Sequence, residues 1–214
     1  TSGMTRSIPI EKILDDCLIA WAMNGEALRP EQGYPARLVV PGWEGNMWVK
    51  WIRRLEFGDK PYMTREETSK YTDLLTDGKA RMFTWVMEAK SVVTSPSPEK
   101  PILHKGIQQL RGLAWSGKGK IKRVDVSLDG GKNWRTAQLH APIMSKSLVR
   151  FTLPFEWSGE ELLIQSRAID ETGYVQPYIQ ELQKIRGKNS IYHNNSIATW
   201  LVSKSGKVDN VRLG

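Results

Sequence analysis

Four positions in this 214-residue chain have the residue types and surroundings to handle an anion: Arg37 set among apolar residues in PARLVV, Lys50 between Val49 and Trp51, Tyr71 in SKYTDLL, and Arg186 in KIRGKN. A guanidinium in so apolar a strand needs a fixed acidic partner, because burying an isolated charge is costly. That partner is either a carboxylate of the chain or the phosphate of a ligand, and composition leaves both open. Other chemistries are poorly served. The three histidines, His104, His140 and His193, lie far apart in sequence, and no nucleophile elbow, P-loop, zinc spacing or dinucleotide fingerprint is present. The single cysteine rules out an intrachain disulfide and any four-cysteine metal site built from this chain.

The elements that must carry these side chains show in the periodicity. Residues 7–22, SIPIEKILDDCLIAWA, place Ile10, Ile13, Leu14, Cys17, Leu18 and Trp21 three and four apart. With Ser7 as N-cap and Pro9 in the first turn, this predicts an amphipathic helix stopped at Asn24-Gly25, with Cys17 as an inert member of its apolar stripe. From Ala36 the texture is β-like: ARLVV, a turn-rich stretch from Pro41 to Gly45, then a second strand-like run MWVKWIRRLEF. The polar residues 58–81 read as an ordered or functional loop. Beyond the proline-punctuated SPSPEKP come short β-like runs, IQQLRGLAW, IKRVDVSL, WRTAQL, LVRFTL and LLIQSRAI, with Asp129-Gly130-Gly131 as a hairpin signal. No helix-length periodic segment interrupts them, so an immunoglobulin-like β-sandwich is expected. The fold class is α+β, mainly β, with two domains at 1–80 and 81–214 and the transition somewhere between residues 72 and 88.

Bulk properties narrow the partners. A hydrophobic content of 40% supports a folded core, and no apolar run approaches the roughly 20 residues of a membrane-spanning helix. The first ten residues, TSGMTRSIPI, lack the basic-then-apolar build of a secretory signal. The net charge of +8 suits anionic ligands or acidic partners. Its cations are scattered, without an arginine-rich tail or a nucleic-acid motif, so neither nucleic acid nor membrane is expected as a partner.

The runs GYPARLVVPGWEGNMWVKWIRRLEF, GLAWSGKGKIKRVDVSLDGGKNW and SRAIDETGYVQP, in that order, resemble the C-terminal half of the sulfite oxidase family of molybdopterin oxidoreductases. Within it, GWEGNMWVKW, EETSKYTDLL and DGKARMFTWVMEAKSVVT are most similar to the sulfane dehydrogenases, the molybdenum subunits of thiosulfate-oxidising Sox systems. The resemblance implies that residues 1–80 are the C-terminal part of a molybdopterin-binding domain and residues 81–214 a dimerisation domain. It implies that Arg37, Val49 and Lys50 contact the pyranopterin and its phosphate, that Tyr71 lies beside the molybdenum, and that Arg186 lines the substrate pocket. Gln32 stands where sulfite oxidases carry a pterin-contacting histidine, keeping hydrogen bonding without a titratable group.

In this family the molybdenum thiolate lies upstream of the GYPAR-type motif, and Cys17 belongs to no matching motif. The chain is therefore expected to be a fragment or one half of a split enzyme, inactive alone, with the metal ligand outside it. The implied reaction is oxidation of carrier-bound sulfane sulfur with electrons passed to a cytochrome c. The implied cofactor is molybdenum-molybdopterin, the implied assembly a homodimer through the C-terminal domain, with a sulfur-carrier protein as partner and the periplasm as location. Sulfite oxidation, or a non-catalytic dimerisation fragment, are the alternatives.

Overall fold

The computed structural model describes residues 4–188, 190 and 192–213. The chain forms two compact units, the first running to Val86 and including Lys184–His193, the second made of Met87–Gln183 and the residues from Asn194 onward. Among the described residues no helix is long and apolar enough to cross a membrane.

The first unit is built from short pieces: α1 (Ile10–Asp16), β1 (Leu18–Ala20), β2 (Ala22–Met23), β3 (Glu26–Ala27), β4 (Arg37–Val39), α2 (Arg65–Lys70), β5 (Thr72–Leu74) and β6 (Ala80–Met82). The long helix expected over 7–22 is not formed. Cys17 takes an extended ψ of 146° and ends α1, after which Leu18–Ala20 pairs antiparallel with Arg37–Val39. Strand pairing outweighs a helical stripe that has nothing to bury against, and Leu14, Leu18 and Trp21 are exposed. Pro9, not Ser7, occupies the cap position. Asn24-Gly25 stops no helix but forms the tight turn joining β2 to β3, both residues at positive φ.

The run after Pro41 also departs from expectation. It contains a 3-10 turn at Gly45–Met47 and no strand, although Leu38 N–H still donates to Val49 O at 2.8 Å and Ile52 N–H to Ala36 O at 3.0 Å. The core here is small, with Leu38, Val40, Trp43 and Met47 buried under Ile13, Cys17, Val49 and Trp85. Trp43 and Trp85 stack at 5.1 Å between centroids. Residues 58–81, read from sequence as a loop, contain α2 and the β5–β6 hairpin.

The second unit is a sandwich of two antiparallel sheets, consistent with an immunoglobulin-like arrangement. Its strands are β7 (Lys90–Ser95), β8 (Gly106–Trp115), β9 (Ile121–Ser127), β10 (Arg135–Thr136), β11 (Gln138–His140), β12 (Val149–Trp157), β13 (Leu162–Asp170), β14 (Thr199–Val202) and β15 (Val208–Val211). The orders are β11-β12-β8-β7 and β10-β9-β13-β14-β15. Alternation places Val149, Phe151, Leu153, Phe155 and Trp157 of β12 inward, against Leu110 and Ala114 of β8 and Val124, Ile164 and Val202 of the facing sheet. Asp129-Gly130-Gly131 does turn β9 into β10. One helix was not expected: α3 (Ile179–Arg186) lies between β13 and β14. Its eight residues, IQELQKIR, are too short and polar to register as a periodic segment.

Candidate functional site

The sequence-selected residues fall into three places within the first unit. The first is organised by the 3-10 turn Pro30–Gln32. Arg29 N–H donates to Gln32 Oε1 at 3.0 Å and Gln32 N–H to Arg29 O at 3.0 Å, closing the turn, and Gly33 leaves it at φ 114°. The three successive carbonyls of the turn each receive a long side chain. Trp51 Nε1–H donates to Pro30 O at 2.9 Å, Lys50 Nζ to Glu31 O at 2.9 Å, and Arg37 Nη1 to Gln32 O at 3.0 Å. A Cβ on Gly33 would sit 3.0 Å from Lys50 Cβ and 3.1 Å from Arg37 Cβ, so the two cations flank a glycine that must stay bare.

The electrostatics of this turn are one-sided. Neither Arg37 nor Lys50 has a carboxylate partner among the described residues. Arg37 is half-buried, its Nε is buried with no hydrogen-bond partner, and its guanidinium lies 5.6 Å from the Trp48 ring centroid. Lys50 is exposed, its Nζ 4.6 Å over the Trp51 ring. Of the two partners left open by the sequence, the carboxylate is not found among the described residues. A phosphate would supply both the missing acceptor and the charge. Val49 acts through its backbone, holding Leu38 and Met47, while its side chain packs on the small core. Gln32 contributes its carbonyl to Arg37, and its side chain is used in the cap.

The second place is a cleft of ≈ 190 Å³ lined by Glu44, Gly45, Asn46, Tyr71, Thr84 and Tyr192. Tyr71 sits at the C-terminal end of α2, whose start is fixed by the buried Glu67. That carboxylate accepts from Thr64 Oγ1 at 3.1 Å, Ser7 Oγ at 3.2 Å and Ser7 N–H at 2.5 Å. The Tyr71 ring lies 4.8 Å from that of Tyr192, tilted by 49°, and the Arg6 guanidinium lies 4.9 Å over it. His193 Nδ1 and Glu44 Oε1 are 2.8 Å apart. Sequence reasoning missed Tyr192, Glu44 and the pairing of His193. Tyr192 and His193 follow Arg186-Gly187 closely in sequence, but nothing in a single sequence links them to Glu44, 149 positions away.

Arg186 closes α3. It is buried, and its Nη1 donates to Asp73 Oδ2 at 3.1 Å, with Asp73 also buried. Asp73 lies on β5, two residues beyond Tyr71, and Arg186 is not among the residues lining the cleft. Among the described residues no cluster of three or more His, Cys, Asp or Glu side chains could hold a metal ion, and Cys17 is half-buried against the small core. The residues present thus fit an anionic tail.

Two family models match successive parts of the chain. Residues 1–66 match the oxidoreductase molybdopterin binding domain, and residues 81–200 the Mo-co oxidoreductase dimerisation domain. Sulfite oxidase of Gallus gallus is 35% identical over 188 residues, covering 80% of this chain and 40% of that protein. The mitochondrial sulfite oxidase of Homo sapiens is 30% identical, with 80% and 34% covered. The crystal structure of the sulfane dehydrogenase SoxCD from Paracoccus pantotrophus superposes with a TM-score of 0.92 at 62% identity, covering 97% of this chain and 54% of that one. The chain therefore spans about half the solved relative, and less than half of the two sulfite oxidases.

Proposed function

The chain belongs to the sulfite oxidase family of Mo-co oxidoreductases, whose dimerisation domain it carries over residues 81–200, and from this premise we propose that it forms part of a sulfane dehydrogenase-type enzyme. In this reading the enzyme oxidises sulfane sulfur bound to a carrier protein and passes the electrons to a cytochrome c. Support comes from the 62% identity to a sulfane dehydrogenase, about twice the identity to the sulfite oxidases.

The family's cofactor is molybdenum-molybdopterin, which when bound supplies two-electron oxygen-atom transfer. The observation that carries the assignment on this chain is the pair of cations on the Pro30–Gln32 turn, without a carboxylate partner among the described residues. Arg37 and Lys50 hold the cofactor's phosphate, and the backbone of Val49 and the capped turn at Gln32 keep them in register. Tyr71 offers its phenol to the substrate cleft as hydrogen-bond donor. Arg186 serves the site indirectly, its pair with Asp73 pinning the strand that follows Tyr71. Cys17 packs against the small core and belongs to no metal-holding cluster among the described residues, so in this reading these residues hold the cofactor's tail rather than its metal. The family resemblance also carries homodimer formation and a periplasmic location into the reading.

Molybdenum, phosphorus and pterin analysis of the enzyme containing this chain tests the assignment, together with reduction of a haem acceptor by carrier-bound sulfane or by sulfite. About one molybdenum and one pterin per protomer are expected, with faster reduction from the carrier. Absence of both from the verified full-length product would remove the catalytic reading, and faster turnover of sulfite would move it to sulfite oxidation.

A further inference from the structure

Trp51 is a bulky residue at φ 54°, a left-handed conformation that side chains of its size seldom adopt. Burial does not account for it, because half of the side chain, 51%, stays exposed. What the conformation achieves is a double contact. It brings the indole N–H to Pro30 O and lays the ring beneath the Lys50 ammonium. A lysine has a flexible four-carbon stem, and its charge is well placed only if something holds it. Here the stem is confined over Gly33, the ammonium is tethered to Glu31 O, and the Trp51 face covers one side of it.

We propose that Trp51 is a positioning residue of the anion site: anchored by its N–H to Pro30 O, its ring holds the Lys50 ammonium at the turn that also holds Arg37, in place to receive a phosphate group. This rests on the assignment of Arg37 and Lys50 to the cofactor's phosphate. The three consecutive carbonyls, each taken by one of Trp51, Lys50 and Arg37, make the turn a template that sets the spacing of the two cations before any ligand arrives. Trp51 itself touches no phosphate and acts through Lys50.

The test is a double-mutant cycle read by binding of inorganic phosphate to the full chain at low ionic strength, followed by phosphorus-31 NMR. Near-ultraviolet circular dichroism confirms that each variant is folded. Trp51→Leu should weaken phosphate binding roughly three- to tenfold, Trp51→Phe, which keeps the ring face but not the N–H to Pro30 O, should fall between Trp51→Leu and the unmodified chain, and Trp51→Leu in a Lys50→Met background should cost nothing further. Equal losses with and without Lys50 would overturn the proposal, because a purely structural role for Trp51 makes the effects additive. Should Trp51→Leu fail to fold, Trp51→His, which keeps a planar ring and an N–H, enters the same cycle. If the unmodified chain binds no phosphate, or binds it independently of Arg37 and Lys50, the cofactor assignment falls first and this inference with it.

Discussion

Asp73 and Arg186 form a pair that neither residue can leave. Both are buried, and the 3.1 Å contact removes one full charge of each sign from water. Asp73→Asn should destabilise the first unit by about 3–5 kcal/mol in urea unfolding, because the buried pair loses the negative charge that Asp73 places against the guanidinium. Replacing both partners with apolar residues should cost less than that single change. The next residue is equally confined: a Cβ on Gly187, at φ 81°, would lie 2.1 Å from Leu74 O. Gly187→Ala should therefore lower the melting temperature, with the loss coming from the β5 backbone, which cannot yield as a flexible side chain would. At this scale the sequence was informative about types and silent about partners. Arg37 and Lys50 stood out as cations in apolar surroundings, but only the structure shows that among the described residues Arg37 meets carbonyls and no carboxylate while Arg186 meets Asp73. Asp73 is 113 positions from Arg186 and sits in a stretch that reads as loop.

Turns and short helices carry the next level of control. Asp129 opens the β9–β10 turn. The backbone N–H of Asn133, then its side-chain amide and the Ser127 hydroxyl, hold this carboxyl far below the usual range. A folded pKa below the unfolded value, near 3.9, means that the unfolded chain binds the proton first. The stabilisation is then complete above the unfolded value and is lost as pH falls towards the folded one. Unfolding measured from neutral pH down to about pH 2 should show the gap between the native protein and Asp129→Asn narrowing only in the acid range. This turn was legible because its residues carry their own geometry, as were the long strands β8 and β12, which alternate clearly. The segment 7–22 was not legible. Its 3.6-residue pattern was real, but the choice between helix and strand was settled by pairing with Arg37–Val39, a contact that local propensity does not contain.

For the molecule as a whole, the match of residues 81–200 to a dimerisation domain leads to an expectation in solution. Sedimentation of the chain at micromolar concentration should give a species of twice its 24.3 kDa mass, and a strictly monomeric chain at high concentration would remove the dimer from the proposed function. The family was legible because its motifs are long and occur in order, whereas the connectivity of the two units was not. The chain leaves the first unit after Val86, builds most of the second, and goes back for Lys184–His193 before completing the second. That return delivers Arg186 to Asp73 and His193 to Glu44. One consequence concerns heredity and engineering: no single cut in the reading frame separates the two units. A recombination that transplants the sandwich as one contiguous block takes ten residues of its neighbour with it, and strands a buried aspartate in the part left behind. The two units must therefore be inherited together or be redesigned at that seam.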